Sequence, residues 1–379
     1  MSQRLCPPII DTPAGLRRLI DRLSACTYIG VDTEMDSYYH YREKVCLLQI
    51  SDDDADYLVD PLCLDLSPLN VIFKDPSKIS IFHAGMNDIP HLYADHGLEF
   101  ARIFDTYTAA EMLGLPNKGL AGLLKEYFNV EVDKKYQKAD WTIRPLSPEM
   151  DLYARGDTRY LAPLRSILYE LLTEKKLLSA AERMFAASVK TRLHPHVFDP
   201  DRWIKVKNFR SLKPEGYGIL RRLYIWRDNT AQKADLSVFR VLPDHVLISL
   251  AERRPRSAEE LLDAFGASSH LNQLQRWQNG ILEAVREGIK DGRIAIPKSK
   301  KQGERLSKED EAILKNLKAW RNKKVAEGRL NDTFMTNKNL GALLADKPAD
   351  LKAMNSLPFM IPEVVGEFGV ELLALLWPK

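Results

Sequence analysis

Three short apolar segments crowd into residues 27–60: "TYIGVD", "VCLLQIS" and "DYLVD", each bounded by polar or turn-forming residues. Short apolar runs with such boundaries read as strands. Two more follow at "KISIF" and "RIFDT", separated by the helical "DIPHLYADHG", and a helical "GLRRLIDRLSA" precedes the set. Strands first in a run and then alternating with helices imply a mixed sheet flanked by helices, an α/β architecture. From "SPEMDLYARGDTRYL" the chain reads as helical to about residue 190. Ser147 stands as N-cap and Pro148 at the first helical position.

A chain of 379 residues exceeds what one core usually organises. After "HPHVFDPDRW" the texture becomes purely helical and an internal repeat emerges. "LYIWRD" (Leu223–Asp228) matches "LKAWRN" (Leu317–Asn322), and the segments downstream of each also correspond. Two helical modules joined by the basic, polar linker "IPKSKKQGERLSKED" account for this, giving expected domains at 1–200, 208–292 and 304–379. Common packing of one tryptophan per module explains the repeated Trp-Arg pair as well as shared function does. Net charge is +3, but residues 1–200 hold 29 acids against 23 bases, a balance of −6, so the remainder carries +9. An acidic front half and a basic back half point to a centre that binds cations and a polyanionic partner, with solvated helix faces as the plain alternative. Four cysteines (Cys6, Cys26, Cys46, Cys63) lie scattered without a C-x-x-C pair, as suits reduced thiols in a cytoplasm. No run reaches the roughly 18 apolar residues of a membrane span, and the first residues carry no secretory pattern.

Asp32 and Glu34 alternate on the strand "YIGVDTEM", so both carboxylates face one way. Two acids placed together repel unless water or a cation screens them; exposure at a strand end and a bound divalent ion are equally open. Asp88 begins a helix after another strand, where N-capping competes with ligation. His83 reads as a hydrogen-bonded core histidine. Tyr153 and Asp157, at i and i+4, share one helix face. Four carboxylates from three segments suffice to hold two hard divalent cations, arranged for in-line phosphoryl displacement. The tyrosine hydroxyl would then orient the attacking water.

"VDTE", "FHAGMND" and "YARGD" together resemble the three exonuclease motifs of the DEDD superfamily, in its tyrosine subclass. The histidine subclass needs histidine at position 152, where this chain has Leu152. "YYHYREKVCLLQIS", "KADWTIRPLSPEM" and "DTRYLAPL" resemble ribonuclease D, and the two repeats resemble helicase-and-RNase-D C-terminal (HRDC) modules. The resemblance implies a ribonuclease H-like exonuclease domain followed by two all-α HRDC domains. It implies 3′→5′ hydrolysis of RNA to nucleoside 5′-monophosphates, with maturation of tRNA precursors and other stable RNA as the usual task. The partner is RNA with a free 3′ end, acted on by a cytoplasmic protein that needs no membrane and no second copy.

By motif match, Asp32, Glu34 and Asp157 would hold one of two ions, Mg2+ or Mn2+. Asp32 would bridge to the second, Asp88 would hold that ion directly or through water, and Tyr153 would position the nucleophile. Trp141 and Arg144 in "DWTIRPL" read first as a turn fixed by Pro145 and second as substrate contacts. Arg221, Arg222, Arg227 and Lys233 are candidates for phosphate contacts, and Tyr224 and Trp226 for base stacking, although Trp226 at helical spacing suits a core. The second repeat is poorer in basic residues, so a spacer role stands beside RNA binding there. A DNA 3′→5′ exonuclease and a binding scaffold with a decayed site are the competing readings. A helicase fails for want of a G-x-x-x-x-G-K-[ST] loop.

Overall fold

The computed structural model describes residues 4–133, 135–193, 197–263, 270–297, 306–330, 332–357 and 359–378. Part of the linker expected between the helical modules, and the expected start of the second at residue 304, lie outside the described residues. The chain divides into two compact units. One comprises Met1–Met35, Val45–Leu193 and Glu304–Lys379; the other comprises Asp36–Lys44 and His194–Gly303.

The first unit is built on a five-stranded sheet. Its strands are β1 (Tyr28–Met35), β2 (Val45–Ser51), β3 (Asp56–Val59), β4 (Ile79–Phe82) and β5 (Ile103–Asp105), in the order β3-β2-β1-β4-β5. β1 runs antiparallel to β2 and parallel to β4; β2 and β3 are antiparallel, and β4 and β5 parallel. All five strands coincide with the segments read from sequence. The pleat sends alternate residues to opposite faces. Ile29, Val31, Leu48, Ile50 and Val59 enter the large core on one face. Helix Leu161–Glu174 joins that core through Leu161, Leu164, Leu168 and Leu172, a 3.6-residue stripe. On the other face Leu47 and Leu58 close against Trp141, Met150 and Ala154.

Helix Pro148–Arg159 therefore lies over the face that carries Gly30, Asp32 and Glu34. Ser147 caps it, accepting from the Met150 N–H at 3.2 Å, with Pro148 in the first turn. Gly30 makes the close approach possible, because an added Cβ would sit 3.0 Å from the Thr158 carbonyl oxygen. Arg155 and Arg159 hold the helix down: Arg155 donates to the Asp56 carbonyl and pairs with Asp151, and Arg159 pairs with Asp56 at 2.8 Å. The expected long helical stretch to residue 190 is three helices, Pro148–Arg159, Leu161–Glu174 and Leu178–Ser188.

The large core continues into the C-terminal segment, where Ile313, Leu317 and Phe368 are buried members of the same cluster. In the second unit, helices Tyr217–Ala234 and Leu271–Asp291 frame a separate core around Trp203, Leu223, Leu247 and Ile281. Residues 36–44, which leave β1 beyond Glu34, fold with this unit. Tyr41 donates to Asp228 at 2.8 Å, Ser237 Oγ to the Tyr38 carbonyl at 2.9 Å, and the Tyr38 and Phe239 rings lie 4.7 Å apart. No described helix is long and apolar enough to cross a membrane.

The repeat is visible as matched hydrogen bonds. Arg227 donates to the Leu242 carbonyl (2.9 Å) and to Asp244 (2.8 Å). Arg321 donates to the Met335 carbonyl (3.2 Å) and to Asn337 Oδ1 (3.1 Å). Each arginine thus ties its own helix to the start of a later one, Asp244–Arg253 or Asn337–Asp346.

The turn after β4 sets one functional residue. Ala84 adopts a left-handed conformation (φ 62°), and the Gly85 N–H donates to Asp105 at 2.7 Å. A Cβ on Gly85 would lie 2.6 Å from Phe82 Cβ. Gly85→Ala is expected to destabilise the protein by about 1–3 kcal/mol through this overlap. Urea unfolding of the two proteins measures it, and an unchanged midpoint would contradict the packing.

Candidate active site

Asp32 and Glu34 leave β1 on one face, under helix Pro148–Arg159, which brings Tyr153 and Asp157 over them. Tyr153, Asp157, Asp32 and Glu34 line one cleft of about 910 Å³, together with His83, Lys118, Gln137 and Lys138. Water is largely removed from the acids. Burial pushes the Asp32 carboxyl well above its usual range, and the neighbouring Asp88, Asp157 and Glu34 push it further. Glu34 is raised for the same reasons, burial first and then Asp157 and Asp88. Asp157 is pushed up to about 7 by burial, and Asp88 to about 7, chiefly by burial. Asp32 thus feels the charges of Asp88, Asp157 and Glu34, and Glu34 those of Asp157 and Asp88.

Two positioning groups for Asp88 escaped the sequence reading. The first is Thr33, which points to the opposite side of β1 from its neighbours and donates its hydroxyl to the Asp88 carboxylate. The second is Asp105, which accepts from the N–H groups of Gly85 (2.7 Å) and Thr108 (2.8 Å), pinning the turn before Asp88 while capping helix Thr106–Met112. Asp88 itself makes no N-cap bond; Asn87 occupies that position, without a side-chain hydrogen bond. The capping alternative for Asp88 is therefore excluded. Thr33 and Asp105 carry no spacing signal, since their partners are 55 and 20 residues away.

Tyr153 is half-buried, with Tyr136 and Trp141 ring centroids at 5.8 and 6.0 Å. Burial and the carboxylates of Asp157, Glu34 and Asp32 push its phenol pKa upward. The hydroxyl therefore stays protonated and serves as a hydrogen-bonding group rather than a base. His83 is held neutral, its pKa pushed down to about 4 by burial. Thr106 donates its own proton to the Phe82 carbonyl (3.0 Å), so its oxygen accepts from His83 Nδ1 at 2.9 Å.

The donor set suits hard divalent cations, being four carboxylates and no soft ligand. Among the described residues no three His, Cys, Asp or Glu side chains are already drawn into a metal cage. The expected turn at "DWTIRPL" is structural: Trp141 is 1% exposed, and Arg144 pairs with Asp60 at 2.5 Å and donates to the Cys46 carbonyl at 2.7 Å.

The candidate phosphate contacts lie in the second unit and are mostly engaged. Arg227 is 5% exposed and bonded as described above, so a phosphate cannot reach it without unfolding that tie. Arg222 pairs with Asp291 at 2.6 Å and Arg221 with Asp201 at 3.9 Å, while Lys233 is exposed. Trp226 packs against Gly280, where a Cβ would meet its Nε1 at 2.3 Å, and Tyr224 stacks on Phe198 at 5.4 Å. Arg256, Arg286 and Lys290, the last two outside the residues singled out from sequence, border a separate cleft of about 670 Å³.

Comparison with known proteins was made with this geometry in hand. A family model described as 3′-5′ exonuclease matches residues 7–173, and one described as HRDC domain matches residues 218–285. One HRDC match stands where the sequence suggested two. The chain is 36% identical over 300 residues to the exosome complex exonuclease RRP6 of Saccharomyces cerevisiae, covering 75% of this chain but 39% of that protein. It is 29% identical over 321 residues to ribonuclease D of Gluconacetobacter diazotrophicus, covering 83% of this chain and 80% of that one. The crystal structure of Escherichia coli RNase D, described as an exoribonuclease involved in structured RNA processing, aligns over all of both chains with a TM-score of 0.63 and 26% identity.

The raised carboxylates give a pH-dependent expectation. Between the usual carboxylate range near pH 4 and about pH 7, the folded site holds protons that the unfolded chain releases. That contribution to stability is lost as pH rises through about 7. A divalent cation replaces those protons, so Mg2+ or Mn2+ should raise the Tm more at pH 8 than at pH 5.5. At 100 times the Kd the shift corresponds to about 2.7 kcal/mol. Equal shifts at both pH values in a thermal melt would show that these acids are not the ligands.

Proposed function

We propose that the chain is a 3′-5′ exonuclease of the kind to which ribonuclease D and RRP6 belong, on its likeness to both, and that it removes nucleotides one at a time from the 3′ end of RNA, releasing nucleoside 5′-monophosphates. The observation that carries the reading is that Asp32, Glu34, Asp157 and Tyr153 line a single cleft, where the charge of Asp157 raises Asp32, Glu34 and the Tyr153 phenol.

In this reading Asp32, Glu34 and Asp157 hold one divalent cation, and Asp32 and Asp88 hold a second, Asp88 directly or through water. When bound, such cations make water a nucleophile near neutral pH and stabilise the attacking and leaving oxygens of the displacement. Tyr153, kept protonated, orients the attacking water through its hydroxyl. Thr33 fixes the Asp88 carboxylate and Asp105 the turn before it. Lys118 and Lys138, on the cleft wall, supply positive charge near a terminal phosphate. On the helical unit, Lys233, Arg256 and Arg286 are better placed for the RNA backbone than the buried Arg227. Residues 304–379 form a second HRDC-like module in this account, supported by the matched bonds of Arg227 and Arg321. Maturation of tRNA precursors and other stable RNA is the role we assign, on the likeness to the two ribonuclease D proteins.

Digestion of matched RNA and DNA oligomers with free 3′ ends tests the substrate. Mononucleotides should appear from RNA, should vanish with chelator, and should fall by at least about 100-fold in Asp32→Asn, the scale expected when a group essential to the displacement is lost. Preference for the DNA strand would replace this reading with that of a DNA exonuclease; an equally active Asp32→Asn would remove the mechanism.

Tyr153→Phe separates two roles of the tyrosine. Turnover should drop by about 100-fold or more, while calorimetric Mn2+ affinity changes less than threefold. Parallel losses would mean that the hydroxyl supports the ligands rather than the water.

A further inference from the structure

Gln49 lies in the middle of β2, directly opposite Asp32 on β1. Residues opposite each other in an antiparallel pair point to the same face, so the Gln49 amide shares the face of Asp32 and Glu34 beneath helix Pro148–Arg159. The side chain is 0% exposed, and neither its Nε2 nor its Oε1 has a hydrogen-bond partner. A buried amide with both ends unanswered is rare and calls for a reason. Leucine of similar size would fill the site without that penalty.

A complementary orphan belongs to the cluster on the same face. Trp141 Nε1 is also buried without a partner. Its ring belongs to the cluster formed by Leu47, two residues before Gln49 on the same face, and Leu58, the residue opposite Gln49 on β3. The Trp141 ring also lies 6.0 Å from that of Tyr153. An indole N–H can only donate, an amide carbonyl accepts, an amide NH2 donates and a carboxylate accepts. The order Trp141, Gln49, Asp32 therefore satisfies every group in turn.

We propose that Gln49 is a positioning residue for the reaction: with a cation held at Asp32, its NH2 would donate to the Asp32 carboxylate and its carbonyl would accept the Trp141 N–H, two bonds that are not made in the arrangement described above. This rests on Asp32 being the shared ligand of the site. A ligating carboxylate with one oxygen held from behind presents the other at a fixed angle, and such outer contacts typically contribute 10–100-fold to metal affinity or activity. The same tryptophan touches Tyr153, so one buried line registers the ligand carboxylate against the hydroxyl that orients water.

The test uses the full chain as wild type, Asp32→Asn, Gln49→Leu, the Asp32→Asn/Gln49→Leu double variant and Trp141→Phe, with Gln49→Met in place of leucine should that variant not fold. Mn2+ binding by calorimetry, Tm in chelator, and kcat and KM on a short RNA are read for each. Gln49→Leu should keep or raise the Tm in chelator, because a buried unpaired amide is replaced by an apolar group. It should weaken Mn2+ binding 10–100-fold and lower kcat while leaving KM for RNA within twofold. Trp141→Phe should show a smaller loss of the same kind. In the Asp32→Asn background, Gln49→Leu should cause no further loss of Mn2+ affinity, since its target is already gone. Unchanged Mn2+ affinity in Gln49→Leu, or a loss that adds fully to that of Asp32→Asn, would overturn the relay while leaving the site intact. An Asp32→Asn protein that keeps both Mn2+ affinity and turnover would overturn the site itself and the relay with it.

Discussion

Four carboxylates, Asp88 and Asp157 buried and Asp32 and Glu34 partly so, crowd one another enough to repel, and much of the first unit serves to keep them there. Burial alone raises each, and their proximity raises Asp32 and Glu34 further. Left free, such side chains would turn toward water. The backbone prevents it: alternation on β1 directs two acids to one face, and Gly30 admits the helix carrying the third to van der Waals distance. The fourth is held by Thr33 and by the Asp105-pinned turn. The clamp on the helix runs to β3, where Arg155 donates to the Asp56 carbonyl and Arg159 pairs with the Asp56 carboxylate. Attraction on one side of the helix thus opposes repulsion on the other.

That division explains which parts could be read from the sequence. Strands, the strand-borne acid pair and the tyrosine–aspartate pair follow from periods of two and of three to four residues, which any correctly assigned element must display. Ser147 and Pro148 announce their helix by local chemistry. Thr33, Asp105 and Gln49 announce nothing, because each acts on a residue far along the chain and each has an ordinary local explanation. The register that sets Gln49 opposite Asp32 exists only after β1 and β2 pair.

The arginines show the converse error. Positive charge in the chain beyond residue 200 suggested a phosphate-binding set, yet charge counted along a chain does not distinguish a free guanidinium from an engaged one. Arg227 belongs to a repeated Trp-Arg pair, and its counterpart Arg321 makes the same two kinds of bond, to a carbonyl and to a side chain at a helix start. The repeat was therefore a packing signal. A guanidinium with five donors is well suited to tie a helix to a loop carbonyl and a carboxamide or carboxylate at once, and this demand fixes the residue in both segments.

The stretch that leaves β1 beyond Glu34 joins the two units in sequence. Residues 36–44 fold with the helical unit, through Tyr41 and Asp228, His40 and Asp235, and Ser237 and the Tyr38 carbonyl. The strand that carries two of the acids thus runs directly into a loop whose partners lie some 190–200 positions later. A boundary drawn near residue 200 from composition alone separates that loop from everything that orders it. The consequence is physical: the strand that carries Asp32 and Glu34 runs on into a segment whose packing partners belong to the helical unit. Charge asymmetry and helical texture mark where the composition changes; hydrogen bonds across long sequence separations decide what folds together.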